Sequence, residues 1–178
     1  MSVERLARNG EAHRVAPEVA EMTAAPSLHT VVVTCMDARI DLFRILGLDL
    51  GEVHILRNAG AVVTDDVLRS LVVSQQMLGT TEIMLIGHTT CGLCGTTEEQ
   101  VRAKVLEGTG QDAPFMFGSF DDLEASVRDG VRRLRSEPLL ANTTVARGFV
   151  YDVVTGQLHE VRVEDPTPAE AHAGRSTA

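Results

Sequence analysis

Short apolar runs alternate with helical segments along this 178-residue chain, and that alternation restricts the fold more than any other feature. Residues 29–35 (HTVVVTC) and 82–87 (EIMLIG) are apolar almost throughout, as strands buried on both faces of a parallel sheet are. Residues 52–56 are a further strand candidate. Ile40, Phe43 and Leu46 recur at helical spacing over 37–46, with Gly47 as the stop. Thr64 can cap a helix running to Leu78, Asp65 and Asp66 favour its positive end, and Gly79 ends it. A late helix over 120–136 places Leu123, Val127, Val131 and Leu134 on one face. Two last strands, 142–154 and 157–163, meet at a Thr155-Gly156 turn. The expected fold is α/β: a mainly parallel central sheet flanked by helices, with an antiparallel C-terminal edge strand. One catalytic domain should span 27–163. Residues 1–26 read as a helical arm packing on a partner subunit, and 164–178 as a disordered polar tail.

Aromatic residues are only 3% and Trp is absent, so Val, Leu, Ile, Met and Ala must build the core. The net charge of −9 argues against nucleic acid and against anionic membranes as partners. It leaves small anions open, because a local pocket can oppose the global sign. Residues 1–15 mix charges throughout and resemble no secretory signal. No apolar run approaches the ~20 residues of a membrane span. A cytoplasmic protein is expected. Three cysteines make no disulfide framework there, and clustered Cys and His then suggest metal or redox chemistry.

Ligands on such sheets bind beyond the carboxyl ends of the strands. Cys35 ends the first strand, His88 ends the run at 82–87, and Cys91 follows in the next turn. Two thiolates and an imidazole suit tetrahedral Zn²⁺, and three protein ligands leave one position open for chemistry. Each residue alone reads better as a small buried group; taken together at two strand ends, a metal site and a packed core both stand. Asp37 and Arg39 follow Cys35 by two and four positions. The carboxylate could coordinate zinc or accept a hydrogen bond from a zinc-bound water, with Arg39 holding it ionised. A plain surface ion pair is the competing reading.

Several segments, in order and at this spacing, resemble the β-class carbonic anhydrases in their short bacterial form. They are Cys35-Met36-Asp37-Ala38-Arg39, Arg57-Asn58-Ala59-Gly60, Thr64 to Leu71 (TDDVLRSL), His88-Thr89-Thr90-Cys91-Gly92 and Arg147 to Asp152 (RGFVYD). The resemblance covers about residues 25–163. It implies one Zn²⁺ per chain on Cys35, His88 and Cys91, and an Asp37–Arg39 catalytic dyad. It implies a substrate cleft lined by Ala59, Gly60 and Gly92. The implied reaction is reversible hydration of CO₂ to bicarbonate and a proton by zinc-bound hydroxide. Two thiolates donate more charge than imidazoles, so the water should be less acidic than the ~7 of a three-histidine site. The family also implies a closed state in which Asp37 takes the fourth zinc position, and assembly as a homodimer or a dimer of dimers. Two departures stand out: Thr90 replaces a common acid, and Cys94 creates a C-x-x-C with Cys91.

Two rival functions remain at this level. A hydrolase of carbonyl sulfide or carbon disulfide would use the same zinc scaffold on a similar linear electrophile. A thiol-redox protein would use Cys91 and Cys94 but leave Cys35 without a role. A non-catalytic zinc or anion-binding module is disfavoured by the presence of both Asp37 and Arg39.

Overall fold

The computed structural model describes residues 1–141 and 145–164. Its centre is a five-stranded sheet. In chain order the strands are β1 (Thr30–Cys35), β2 (Val53–Asn58), β3 (Glu82–His88), β4 (Ala146–Tyr151) and β5 (Leu158–Val161). In space the order is β2-β1-β3-β4-β5. The first four run parallel, and β5 adds an antiparallel edge by pairing with β4. The helices are α1 (Ser2–Ala12), α2 (Pro17–Ala20), α3 (Leu42–Leu46), α4 (Asp65–Leu78), α5 (Glu98–Thr109) and α6 (Leu123–Ser136).

The sheet core follows from its composition. Val31, Val32 and Val33 are all buried although consecutive residues of a strand face opposite sides, so both faces of β1 are covered. Leu71 of α4 and Val131 and Leu134 of α6 complete the same cluster. Thr64 accepts from Val67 N at 3.3 Å, and Gly79 closes α4 in the left-handed conformation, as its sequence predicts. Helix α6 lies close on β3 and β4 because glycines face it. A Cβ on Gly148 would stand 2.6 Å from Val127 Cγ1, and one on Gly87 would stand 2.8 Å from Val127 Cγ2.

Three expectations change. Residues 37–40 form no helix, and only Leu42–Leu46 is helical, capped by Asp41. The Asp37 carboxylate accepts from Arg39 N at 2.9 Å, and this local bond competes with the helical ladder. Helix α5 was not expected, because its apolar periodicity is weak. Its start is nonetheless written in a capping box, in which Thr97 and Gln100 satisfy each other's backbone N–H groups. The last strands are shorter than expected and are joined across residues 152–157, where Asp152 N and Gly156 N close the turn. Positions 142–144 of the expected strand, and the expected tail from 165 onward, lie outside the described residues. The expected arm contains α1 and α2, and neither helix buries a residue within the chain. No described helix is long and apolar enough to cross a membrane.

Candidate metal centre and cleft

Strand order reverses between β1 and β3, and the crevice beyond their carboxyl ends is where such sheets place ligands. Cys35 ends β1 and His88 ends β3. Parallel pairing of β1 with β3 therefore brings both to one edge, and the turn after β3 brings Cys91 back to them. The ligand atoms of Cys35, His88 and Cys91 lie within 4.8 Å of one another, and all three residues are buried.

The protonation pattern fits a cation. His88 Nδ1 bonds to the Thr89 carbonyl at 2.9 Å, which makes it the N–H donor and leaves Nε2 with a lone pair. His88 Nε2 is buried without a hydrogen-bond partner among the described residues, and it faces the two thiols. Burial pushes the His88 imidazolium down. Burial and the neighbouring Cys35 push the Cys91 thiol up. A divalent ion would reverse the second effect and use the first. The orphaned nitrogen and the N/S/S donor set fit zinc.

Asp37 and Arg39 sit beside this cluster as a bidentate pair. Arg39 Nε donates to Asp37 Oδ1 at 2.9 Å, and Nη2 donates to Oδ2 at 2.7 Å. These bonds, together with the Arg39 backbone N–H, hold the Asp37 carboxyl far below the usual carboxylate range. The other edge of the guanidinium is clamped by Thr90, through Oγ1 at 3.1 Å and the carbonyl at 3.2 Å. Thr90 adopts φ 55°, a strained choice for a β-branched residue, between two of the cluster residues. Asp37 Oδ2 lies 3.9 Å from His88 Nε2. The carboxylate thus stands on Arg39 but within reach of the metal position.

A cleft of about 480 Å³ opens on the cluster, and its wall includes Cys35, Asp37, Ala59, Gly60, Cys91, Gly92 and Leu93. The three cleft residues expected from sequence are among them. Gly60 adopts φ 76°, and a Cβ there would stand 3.1 Å from Leu93 Cδ1. Sequence reasoning missed Leu93 and the clamp of Thr90. It also missed what Arg57 does: its guanidinium donates to the carbonyls of Cys35, Asp37 and Ile40, tying down the turn that carries the dyad. Only the pairing of β1 with β2 could have revealed that bond set. Cys94 stands outside the triplet, with its thiol 3.8 Å from the Asp121 carbonyl. Among the other described histidines, His54 bridges Ser74 and the Ala24 carbonyl, His29 bonds to the Gly79 carbonyl, and His159 faces Glu124.

Comparison with known proteins shows the family of this chain. The carbonic anhydrase family model matches residues 30–158. Beta-carbonic anhydrase 1 of Mycobacterium tuberculosis is 46% identical over 136 residues, covering 76% of this chain and 83% of the relative. A carbon disulfide hydrolase of an Acidianus strain is more distant, at 33% identity over 72% of this chain and 75% of its own. The crystal structure of a carbonic anhydrase from Streptococcus mutans superposes with a TM-score of 0.79 at 38% identity, covering 90% of this chain and 95% of the other. With the Cys-His-Cys cluster at the switch point of the same fold, the chain belongs to the β-carbonic anhydrase family.

Proposed function

We propose that this protein catalyses the reversible hydration of CO₂ to bicarbonate and a proton, with Cys35, His88 and Cys91 holding one zinc ion. The observation that carries the reading is His88 Nε2, buried without a hydrogen-bond partner among the described residues, beside two thiols that line the cleft. Zinc, when bound, acidifies a coordinated water so that hydroxide is available near neutral pH.

This chain's residues supply the rest. Asp37, kept ionised by Arg39, accepts a hydrogen bond from the attacking water and aims its lone pair into the cleft. Thr90 and Arg57 hold the dyad in place. Ala59, Gly60 and Gly92 line the space where the substrate carbon lies, and the absence of side chains on the glycines leaves room for a linear molecule. Asp37 lies near enough to His88 that, released from Arg39, it would take the fourth zinc position and exclude water.

The enzyme works as a homodimer or a dimer of dimers. Support comes from α1, whose Val3 and Leu6 are exposed, and from Met36, exposed beside Cys35 at the cleft rim. Such apolar groups suit a second copy of the chain. We place it in the cytoplasm, where thiol ligands stay reduced. The test is metal content together with stopped-flow CO₂ hydration across pH, run beside sulfide release from carbonyl sulfide and carbon disulfide. Zinc-loaded protein that releases sulfide but does not hydrate CO₂ would overturn the reading in favour of the more distant relative's chemistry.

A further inference from the structure

We propose that Glu98, outside the cleft, is a positioning residue that fixes the Leu93–Phe120 wall beside Gly60. The carboxylate sits in the first turn of α5 and accepts four bonds from the loop before α6. Its Oε2 takes Phe117 N at 2.9 Å. Its Oε1 takes Gly118 N at 2.6 Å, Ser119 N at 2.9 Å and Ser119 Oγ at 2.9 Å. Three successive backbone N–H groups aimed at one anion form a nest, and here the anion is the protein's own. The bonds also hold the Glu98 carboxyl down at about 2, the Phe117 N–H contributing most.

The pinned loop continues straight into the site. Phe120 N donates to Leu93 O at 3.1 Å, and Gly95 N donates to Phe120 O at 2.8 Å. These bonds make a parallel bridge between Phe120 and Cys94. The Phe120 ring and the Leu93 side chain then close on Gly60, whose missing Cβ would meet them at 3.5 and 3.1 Å. Leu93 and Gly60 are both cleft residues. Gly118 supports the loop from the other side, since a Cβ there would stand 2.9 Å from Val62 Cγ2. Glu98 itself touches neither cleft nor cluster. Its anchor thus sets where the apolar wall stands, while the zinc ligands are held by strand ends.

The inference rests on the carbonic anhydrase reading, so its test has one readout that needs no activity. Amide exchange in zinc-loaded E98A and E98Q should lose protection at Phe117–Phe120 while β3 keeps its protection. In E98Q the amide oxygen can keep the Oε1 bonds, and only Phe117 N must face a donor, so its loss should be smaller. With CO₂, kcat/KM should fall roughly 3–10-fold in E98A and less in E98Q, the fall carried by KM because the wall binds substrate and does not touch the reacting atoms. Should E98A not fold, S119A removes one bond of the four and should shift protection and KM in the same direction. Unchanged protection and KM in E98Q and S119A overturn the proposal. An equal fall in kcat with loss of zinc also overturns it, because Glu98 would then serve the ligands instead. Wild-type protein that binds zinc but lacks CO₂ hydration would sink the activity reading alone, with the exchange result still deciding the role of Glu98.

Discussion

Replacing Gly148 with alanine tests whether the close approach of α6 to the sheet is a real constraint. The new Cβ would lie 2.6 Å from Val127 Cγ1 and 3.0 Å from Val131 Cγ2. Comfortable carbon contacts are about 3.5–4.0 Å, so the helix or its valines must retreat by about 1 Å. Both valines are buried, and β-branched side chains have few rotamers to escape into. Overpacking of this kind costs about 1–3 kcal/mol. At about 2–4 °C per kcal/mol for a chain of this size, Tm should fall by about 2–12 °C. The sign is diagnostic, because glycine to alanine in an uncrowded strand would stabilise by about 0.5–1 kcal/mol. Calorimetry of the zinc-loaded protein measures it, and urea titration checks that the m-value is unchanged. V127A removes the nearer of the two methyl groups in the way and leaves Val131 Cγ2 at 3.0 Å. The double variant should therefore be more stable than the sum of the singles predicts, with a coupling of about 0.5–3 kcal/mol. An unchanged or raised Tm in G148A, or an additive cycle, would refute the reasoning.

Other outcomes follow from the site. D37N should retain one zinc per chain yet lose roughly 10²-fold or more in kcat/KM, because the amide neither pairs with Arg39 as an anion nor accepts as strongly from the attacking water; wild-type turnover would remove Asp37 from the mechanism. C91S should weaken zinc binding more than about 100-fold, since even the partners behind a ligand are worth ~10–100-fold; competition with a chromogenic chelator measures this, and tight binding would exclude Cys91 as a ligand. The loop N–H groups hold the Glu98 carboxyl down at about 2 in the folded chain, against the ordinary 4.5. The unfolded chain therefore binds its proton first, and the stabilisation it contributes is full above about 4.5 and is lost as pH falls toward about 2. The urea midpoint of wild type minus that of E98Q should shrink over that window, and a difference that stays constant down to the lower limit would contradict the nest.

The residues that cluster at the sheet edge could be named from the chain, because chemistry and strand ends are both local properties, although residue types alone left a metal site and a packed core both standing until the resemblance was added. A β-branched run ending in Cys35, and an apolar run ending in His88 with Cys91 three residues on, determine which ligands exist and which sheet edge receives them. Caps such as Thr64, and the reversal before β5, are equally local. Other parts depended on groups distant in sequence. The carbonyls that hold Arg57 come from the neighbouring strand and the turn after it. The clamp of Thr90 on Arg39 spans 51 positions, and the expected helix at residue 37 gave way to a side-chain bond that only the dyad's geometry makes worthwhile. Glu98 carried no reading from sequence, because α5 itself was not expected; in the fold it stands in the first turn of that helix. Its nest joins α5 to a loop about twenty positions later. Sequence alone determined the donor atoms, because they are covalent facts of single residues. The tertiary structure decided how those atoms are aimed and what walls them, because backbone carbonyls and N–H groups carry no residue-specific signature until the fold brings them together.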